Sequence, residues 1–437
     1  MLKIRPGFLM RWRLNLFFAF AAFFCTLGCA AAVSAEWVKE YAGPANGDDY
    51  STAIAVDGGG NVYVTGASDG ISTSYDYATI KYGANGSREW VARYDGPGNQ
   101  LDSPTAIAMD GDGNVYVTGH SNGVSSEFDH DFDYATIKYD TNGKPKWVTR
   151  YSSPEGSDDM PVGLAVDGFG NVYVAGRSQG ETDYENSTVI KYDADGNCIW
   201  TRRFDGTAYA IALDDSANVY VTGTVTIKYD SDGNRKWVTR SSGVTSSIAV
   251  DGTGNVYVAG YMERTSSGFD YIMVKYDANG SRKWVKRYNG PGNGSDFAHA
   301  IALDGAGNVY VTGVSEGTSS GEDYATVKYD VNGNRKWVKR YNGPANGGDS
   351  ASAIALDGKG NVYVIGWSDS DSSGKTHDCA TINYDENGNQ KWVRRYEQAS
   401  GSSMVVGGGR SLYVTGTTLT TTGLEHYLTI KYDAGGN

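Results

Sequence analysis

From residue 36 onward the chain alternates apolar and polar positions in short runs, and no long apolar stripe of helical period interrupts them. One stretch, Ala300 to Tyr341, shows the pattern whole: AIALDGAGNVYVTG, a loop, then DYATVKYDVNGNRKWVKRY. It contains four strand signals, AIALD, NVYVTG, DYATVKYD and RKWVKRY, each rich in β-branched or aromatic residues. We label them A to D. The A-to-B link Asp-Gly-x-Gly-Asn and the C-to-D link Asp-x-Asn-Gly are short and rich in Gly, Asn and Asp, the residues that tolerate the positive φ of tight hairpins. The strand B signature recurs with Asn at 61, 114, 171, 218, 255, 308 and 361, and a degenerate eighth copy carries Ser411 there. The intervals run 53, 57, 47, 37, 53, 53 and 50 residues, the size of one small sheet and not of a domain.

A four-stranded sheet repeated at this period is the blade of a β-propeller, in which each sheet covers both faces with its neighbours. The fold class is therefore all-β, with 36–437 forming a single propeller domain. Trp recurs in strand D at 37, 90, 147, 200, 237, 284, 337 and 392, which counts eight outer strands. The Trp and Tyr stripes read as packing between blades. Following the expected export segment, the repeats begin with a D strand, Glu36 to Tyr41, and end after a C strand and its turn. The first strand should complete the last blade and remove the exposed sheet edge. Eight blades is the prediction; seven is the alternative, with the short fourth unit around Val219 to Trp237 as the one in question. Lysines 81, 138, 191, 228, 275, 328 and 431 share one place in strand C, where Asn383 breaks the series. A lysine in mid-strand between sheets needs an acidic partner or a route to the rim.

The pattern AIALDGxGNVYVTG followed by DYATIKYDxNGxxKW resembles the bacterial β-propeller repeat called SBBP and, more distantly, NHL repeats. The resemblance covers essentially all of 36–437. It implies the fold and an exported or surface protein, and no particular activity; its family name implies seven blades where this chain counts eight.

Composition adds a location and excludes some partners. Lys3, Arg5, Arg11 and Arg13 precede an apolar stretch, Leu14 to Leu27, and Val33-Ser34-Ala35 supplies small residues for cleavage before Glu36. Residues 1–35 read as a signal peptide, and the protein as extracytoplasmic: periplasmic, secreted or on the cell surface. Lipidation at Cys29 or an uncleaved anchor are the other readings, and the only expected routes to a membrane. Cleavage removes four cations and no acids, taking the net charge from −13 to −17. Such a surface repels nucleic acid and anionic lipid, so the partner expected is a glycan or a protein, met by a monomer. Cys198 and Cys379 would remain, too few to frame the fold with disulfides.

In a propeller the A-to-B and C-to-D turns share one face and the B-to-C and D-to-A loops the other. The first set is uniform here and the second varies, so a site belongs on the second face. The D-to-A loop ends in Asp49, Asp102, Asp159, Asp296 and Asp349, and Asp76, Asp133, Asp270, Asp323 and Asp378 open strand C. These carboxylates could form a ring that takes Ca²⁺ or another divalent metal, or grips sugar hydroxyls. Alternatively each caps its own loop or pairs with a strand D arginine such as Arg93 or Arg340. Two loops depart from the repeat: blade 2 carries His120, Glu127, Asp129, His130, Asp131 and Asp133, and blade 7 carries Asp369, Asp371, His377, Asp378 and Cys379. Clusters of His and carboxylate are metal-ligand types, though the spacing matches no established motif. Asp110-Gly-Asp112-Gly-Asn114 lacks the glycine and closing glutamate positions of an EF-hand and reads as a hairpin turn. Gly-Thr-Ser-Ser-Gly at 317–321 spells a nucleophile elbow but lies between two strands, where an elbow cannot form. No catalytic residue is assigned. A non-enzymatic binding scaffold is the leading reading; a metal-dependent propeller lyase or hydrolase using the carboxylates is the alternative. A quinoprotein-like oxidoreductase, suggested by a distant likeness of Asp277 to Trp284 to a tryptophan-docking repeat, ranks below both.

Overall fold

The computed structural model describes residues 35–123, 132–154, 158–179, 185–371 and 373–437. The expected export segment lies outside the described residues except for Ala35. Eight four-stranded antiparallel sheets make up the described chain, each with its strands in the order A-B-C-D. Blade 1 is Asp49–Val56, Val62–Asp69, Tyr75–Tyr82 and Arg88–Tyr94, and the next six follow the same plan. Blade 4 keeps all four strands with only two residues between its B and C strands, so its short interval reflects a short loop and the count is eight. In blade 8 the strands Ala399–Val406, Leu412–Leu419 and Glu425–Tyr432 are completed by Trp37–Tyr41, which pairs Trp37 with Lys431 through to Tyr41 with Tyr427. The N-terminal strand closes the ring. No helix among the described residues is long and apolar enough to cross a membrane.

The core is divided among the eight joints between blades. At the joint of blades 1 and 2, Tyr63 and Tyr77 of one sheet pack with Val115, Val117, Ala135 and Ile137 of the next. The second glycine of the strand B signature answers to this geometry. A bulge in strand A, between Ser51 and Ala53, brings its backbone so close that a Cβ on Gly66 would stand 2.0 Å from the Tyr50 carbonyl. The Thr before that glycine bonds the Thr of strand C, as in Thr65 to Thr79 at 3.0 Å.

Each strand D tryptophan is a joint between blades. Trp147 lies over Gly196 in the next blade's C-to-D turn, where φ is +87° and a Cβ would stand 2.8 Å from the indole; its Nε1 donates to the Ala194 carbonyl at 3.0 Å. Only glycine suits a position that needs both a left-handed backbone and an empty face. The same contact recurs around the ring, including Trp37 over Gly86 at the closure. Packing is therefore the role of the Trp stripe.

The strand C lysines find a partner other than the one expected. Lys138 Nζ stands 5.1 Å from the centroid of the Tyr116 ring and donates to the Ala194 carbonyl of the next blade at 3.0 Å. Lys81, Lys191, Lys228, Lys275, Lys328 and Lys431 also lie over the strand B tyrosine of their own blade. Carboxylates come within ion-pair distance of Lys81, Lys228 and Lys431. Aromatic faces and turn carbonyls thus replace the acidic partner as the shared rule. Asn383, which breaks the series, is fully buried, and neither of its polar atoms finds a hydrogen-bond partner among the described residues.

Candidate functional site

On the turn face the repeat residues are engaged with one another. Asp57 accepts hydrogen bonds from the amides of Gly59 and Asn61, the Asn61 side chain and the Tyr63 hydroxyl. Burial alone would raise its pKa, but these donors outweigh it and hold the carboxyl below its ordinary value. Asp110 is held in the same way by Asn114 and Tyr116, so the 110–114 segment is a hairpin turn, as the sequence indicated. Hollows of about 430 Å³ and 770 Å³ open on this face, between blades 6 and 7 and blades 3 and 4. Their walls repeat the same turn residues, Asp304, Asn308 and Lys328 in one and Asp167, Asn171 and Lys191 in the other, so neither is specialised.

On the loop face the sequence-predicted carboxylates are placed one by one. Asp49, Asp102, Asp159, Asp296 and Asp349 are all fully buried, and each accepts the backbone amide six residues before it, from Gly43, Gly96, Ser153, Gly290 and Gly343. They cap their own loops and do not line the channel mouth. Burial raises all five carboxyl pKa values, those of Asp102 and Asp159 to about 6, against the pull of a strand B serine hydroxyl and the capped amide. The strand C carboxylates pair with strand D arginines: Arg93 to Asp76 at 2.8 Å, Arg150 to Asp133 at 2.7 Å, Arg340 to Asp323 at 2.6 Å and Arg395 to Asp378 at 2.9 Å. Each guanidinium also holds a strand B serine, as Arg340 holds Ser315, and Arg150, Arg340 and Arg395 reach back to the Tyr hydroxyl of the preceding outer strand. Asp270 accepts from Ser267 instead, at 2.8 Å. These groups form a clamp that ties one blade to the one before.

The histidine loops divide. His120 packs edge-on against Phe132 with ring centroids 4.8 Å apart, and burial pushes its pKa down to about 4. Glu127, Asp129, His130 and Asp131 lie outside the described residues. Among the described residues one acidic trio has oxygens within 4.8 Å of one another: Asp76, Asp95 and Asp102. Asp76 already serves Arg93 and Thr73, and Asp102 caps Gly96. Cys379 is buried with its thiol pushed up to about 12, and Cys198 is exposed; both are free.

At the joint of blades 7 and 8 the clamp seen in blades 1, 2, 6 and 7 is replaced by other side chains. Where the clamp would need Asp, Asp and Arg, blade 8 carries Ala399, His426 and Glu40. With no guanidinium to receive it, the Tyr396 hydroxyl donates to Glu40 at 2.9 Å. A cavity of about 160 Å³ opens here on the loop face, lined by Lys375, Thr376, His377, Gln398, Ser400, Thr417, Leu419 and Glu425 among others. His377 Nδ1 is 2.8 Å from Asp369 Oδ1, and the other oxygen of Asp369 accepts the Gly348 amide at 2.6 Å. The imidazole lies against Trp367 with centroids 4.7 Å apart. Burial and the nearby Glu425 carboxylate raise the pKa of the Tyr50 hydroxyl of blade 1, and the Glu425 amide donates to Asp48 at 3.0 Å. Of the predicted blade 7 residues, His377 and Asp369 come together at the cavity while Asp378 is held in the Arg395 clamp. Trp367, Gln398, Ser400, Thr417 and Glu425 were not singled out from the sequence. The readable signal was Glu40 standing where Arg93, Arg150, Arg340 and Arg395 stand.

Comparison with known proteins agrees with this architecture. The beta-propeller repeat model SBBP matches residues 36–71, 89–124, 146–185, 283–319 and 336–372. Each match begins in an outer strand and runs into the strand B region of the next blade, so the matched unit spans a joint. No curated protein matches the chain. Among solved structures, the Dos1 propeller is similar at 9% identity, with a TM-score of 0.55, covering 90% of this chain and 93% of that one. BamB from Moraxella catarrhalis is similar at 13% identity, with a TM-score of 0.48, covering 87% and 95% respectively. These likenesses lie in the fold. The chain is an eight-bladed β-propeller, and five stretches of it match the SBBP beta-propeller repeat.

Proposed function

We propose that the protein is an exported, non-enzymatic binding scaffold that meets its partner with the face carrying the B-to-C and D-to-A loops. One observation carries the reading: on that face, at the joint of blades 7 and 8, the clamp is replaced and a cavity of mixed apolar and polar lining stands in its place. On the turn face the Asp and Asn of the A-to-B turns repeat in seven blades and serve their own hairpins, and blade 8 has Gly407 to Ser411 there instead. A surface whose side chains are committed to the ring has little left to offer a partner. The expected location follows from the basic and apolar N-terminal segment and the acidity of the remainder.

The test compares two variants on the envelope material of the producing cell. One carries the blade 6 loop 317–321 in place of 370–376; the other carries exposed-residue changes in the A-to-B turns, such as Lys359→Ala. Retention on the envelope should fall at least tenfold for the first and stay unchanged for the second. Equal retention of both would reject the assignment of the face.

A further inference from the structure

We propose that the cleft between blades 7 and 8 takes the terminal sugar of a neutral glycan, an assignment that rests on the loop face being the binding face. Its chemistry is that of a sugar site. A sugar ring offers apolar C–H faces and a rim of hydroxyls that both donate and accept, so it needs flat apolar surface beside fixed polar groups of both kinds. On the cavity wall the His377 ring and Leu419 supply the flat and apolar surface, and Trp367, outside the lining, packs against the imidazole and fixes its plane. The imidazole is oriented in advance, because Nδ1 is held by Asp369 and Asp369 by Gly348, which leaves Nε2 for a ligand. Glu425 offers a carboxylate, Gln398 a carboxamide, and Ser400 and Thr417 hydroxyls.

Size and charge narrow the class. The cavity of about 160 Å³ equals the liquid volume of about five waters, the scale of one hexose ring. Among the described residues Lys375, which is exposed, is the only lysine or arginine on its wall, and the chain is strongly acidic, so a carboxylated or sulfated sugar would be repelled. The cleft also differs from the loop-face aromatic cluster of Tyr261, Phe269 and Phe297 at blades 5 and 6, whose rings lie 5.1 to 5.5 Å apart and cover one another.

The experiment applies the exported protein to a printed array of neutral, acidic and amino-sugar oligosaccharides, then titrates the strongest neutral binder while following tryptophan fluorescence. Trp367 is the one indole outside the ring joints and the N-terminal segment, and its contact with the His377 ring lets it report on a ligand that engages the imidazole. Binding of a neutral oligosaccharide is expected, weakened at least tenfold by Trp367→Ala and by His377→Ala and unchanged by Tyr261→Ala, with circular dichroism confirming that each variant is folded. Binding confined to acidic glycans, or binding insensitive to both cleft variants, overturns the proposal. If no glycan binds, crosslinks from a protein partner to the loop face leave the scaffold reading standing and remove the glycan. Crosslinks to the turn face remove both.

Discussion

Removing the closing strand should cost the protein its ring. The perturbation is deletion of Glu36 to Ala42, which strips the outer strand from blade 8 and leaves the Glu425–Tyr432 strand as an open edge. Five residue pairs are lost, and at a net ~1 kcal/mol for each backbone hydrogen bond the ladder contributes about 5 kcal/mol. Buried Tyr41 packs on Tyr427 at 5.4 Å, and Trp37 lies over Gly86 and beside Tyr82 and Tyr413. Losing each large aromatic contact costs about 3 kcal/mol or more. Against this, freeing five residues returns about 1–2 kcal/mol of backbone entropy apiece. The net loss is about 1–6 kcal/mol, a sizeable share of the 5–15 kcal/mol typical of a folded domain. For a chain of this size we expect Tm to fall by about 4 °C. The exposed edge should also drive association, visible as rising light scattering at constant temperature. A synthetic peptide of residues 36–42 added in trans should reverse both effects. A truncated chain that stays monodisperse with its midpoint within 1–2 °C of the parent would refute the closure argument.

Other outcomes follow from single positions. Asp102 and Asp159, whose carboxyl pKa values burial raises from the ordinary aspartate range to about 6, bind protons more tightly folded than unfolded. Their carboxylates therefore subtract stability as pH rises from about 4 to about 6, by at most about 3 kcal/mol each; Asp102→Asn should flatten the fall of Tm across that window, and an unchanged slope would contradict the burial argument. Asn383→Lys restores the residue found in the other seven blades and removes two orphaned polar atoms, so urea unfolding should show a gain of about 1–3 kcal/mol; a loss would mean that the site has closed around asparagine. Gly196→Ala forces a side chain into a left-handed turn and against Trp147, and should destabilise by more than about 1 kcal/mol in the same assay. In the chain from Glu36, a thiol reagent should modify Cys198 promptly and Cys379 only after denaturation, since the first is exposed and the second buried with a raised pKa.

The fold was legible because its causes are local and repeated. The alternation of NVYVTG, the glycines that a bulge or an indole requires, and the tryptophan at one place in every unit each announce the blade eight times over. Even the closure could be read from the order of strand types at the ends. Partners across the joints were harder. The sequence demanded something for the lysines but could not show that a tyrosine face in the same sheet and a carbonyl one blade away would serve. The cleft was the least visible part, for a physical reason. It arises where blade 8 departs from the repeat, and its cause, Glu40, lies more than 330 residues before the cavity-lining residues. His377 attracted notice as an odd residue in a regular array, whereas Ser400, Thr417 and Glu425 look ordinary until the ring is closed.

The contact of tryptophan on glycine has a consequence for assembly. It is directional: each blade presents an indole at one side and a bare turn at the other, so the joint is heterologous and has no internal reason to stop. Inside one chain it stops because the eighth indole belongs to Trp37 and finds the first turn at Gly86. A chain caught before that meeting, with its first strand still undocked, is a monomer with two complementary ends. Its fate is to add to another chain head to tail, so that the geometry that makes a closed ring would, unclosed, propagate as a fibre.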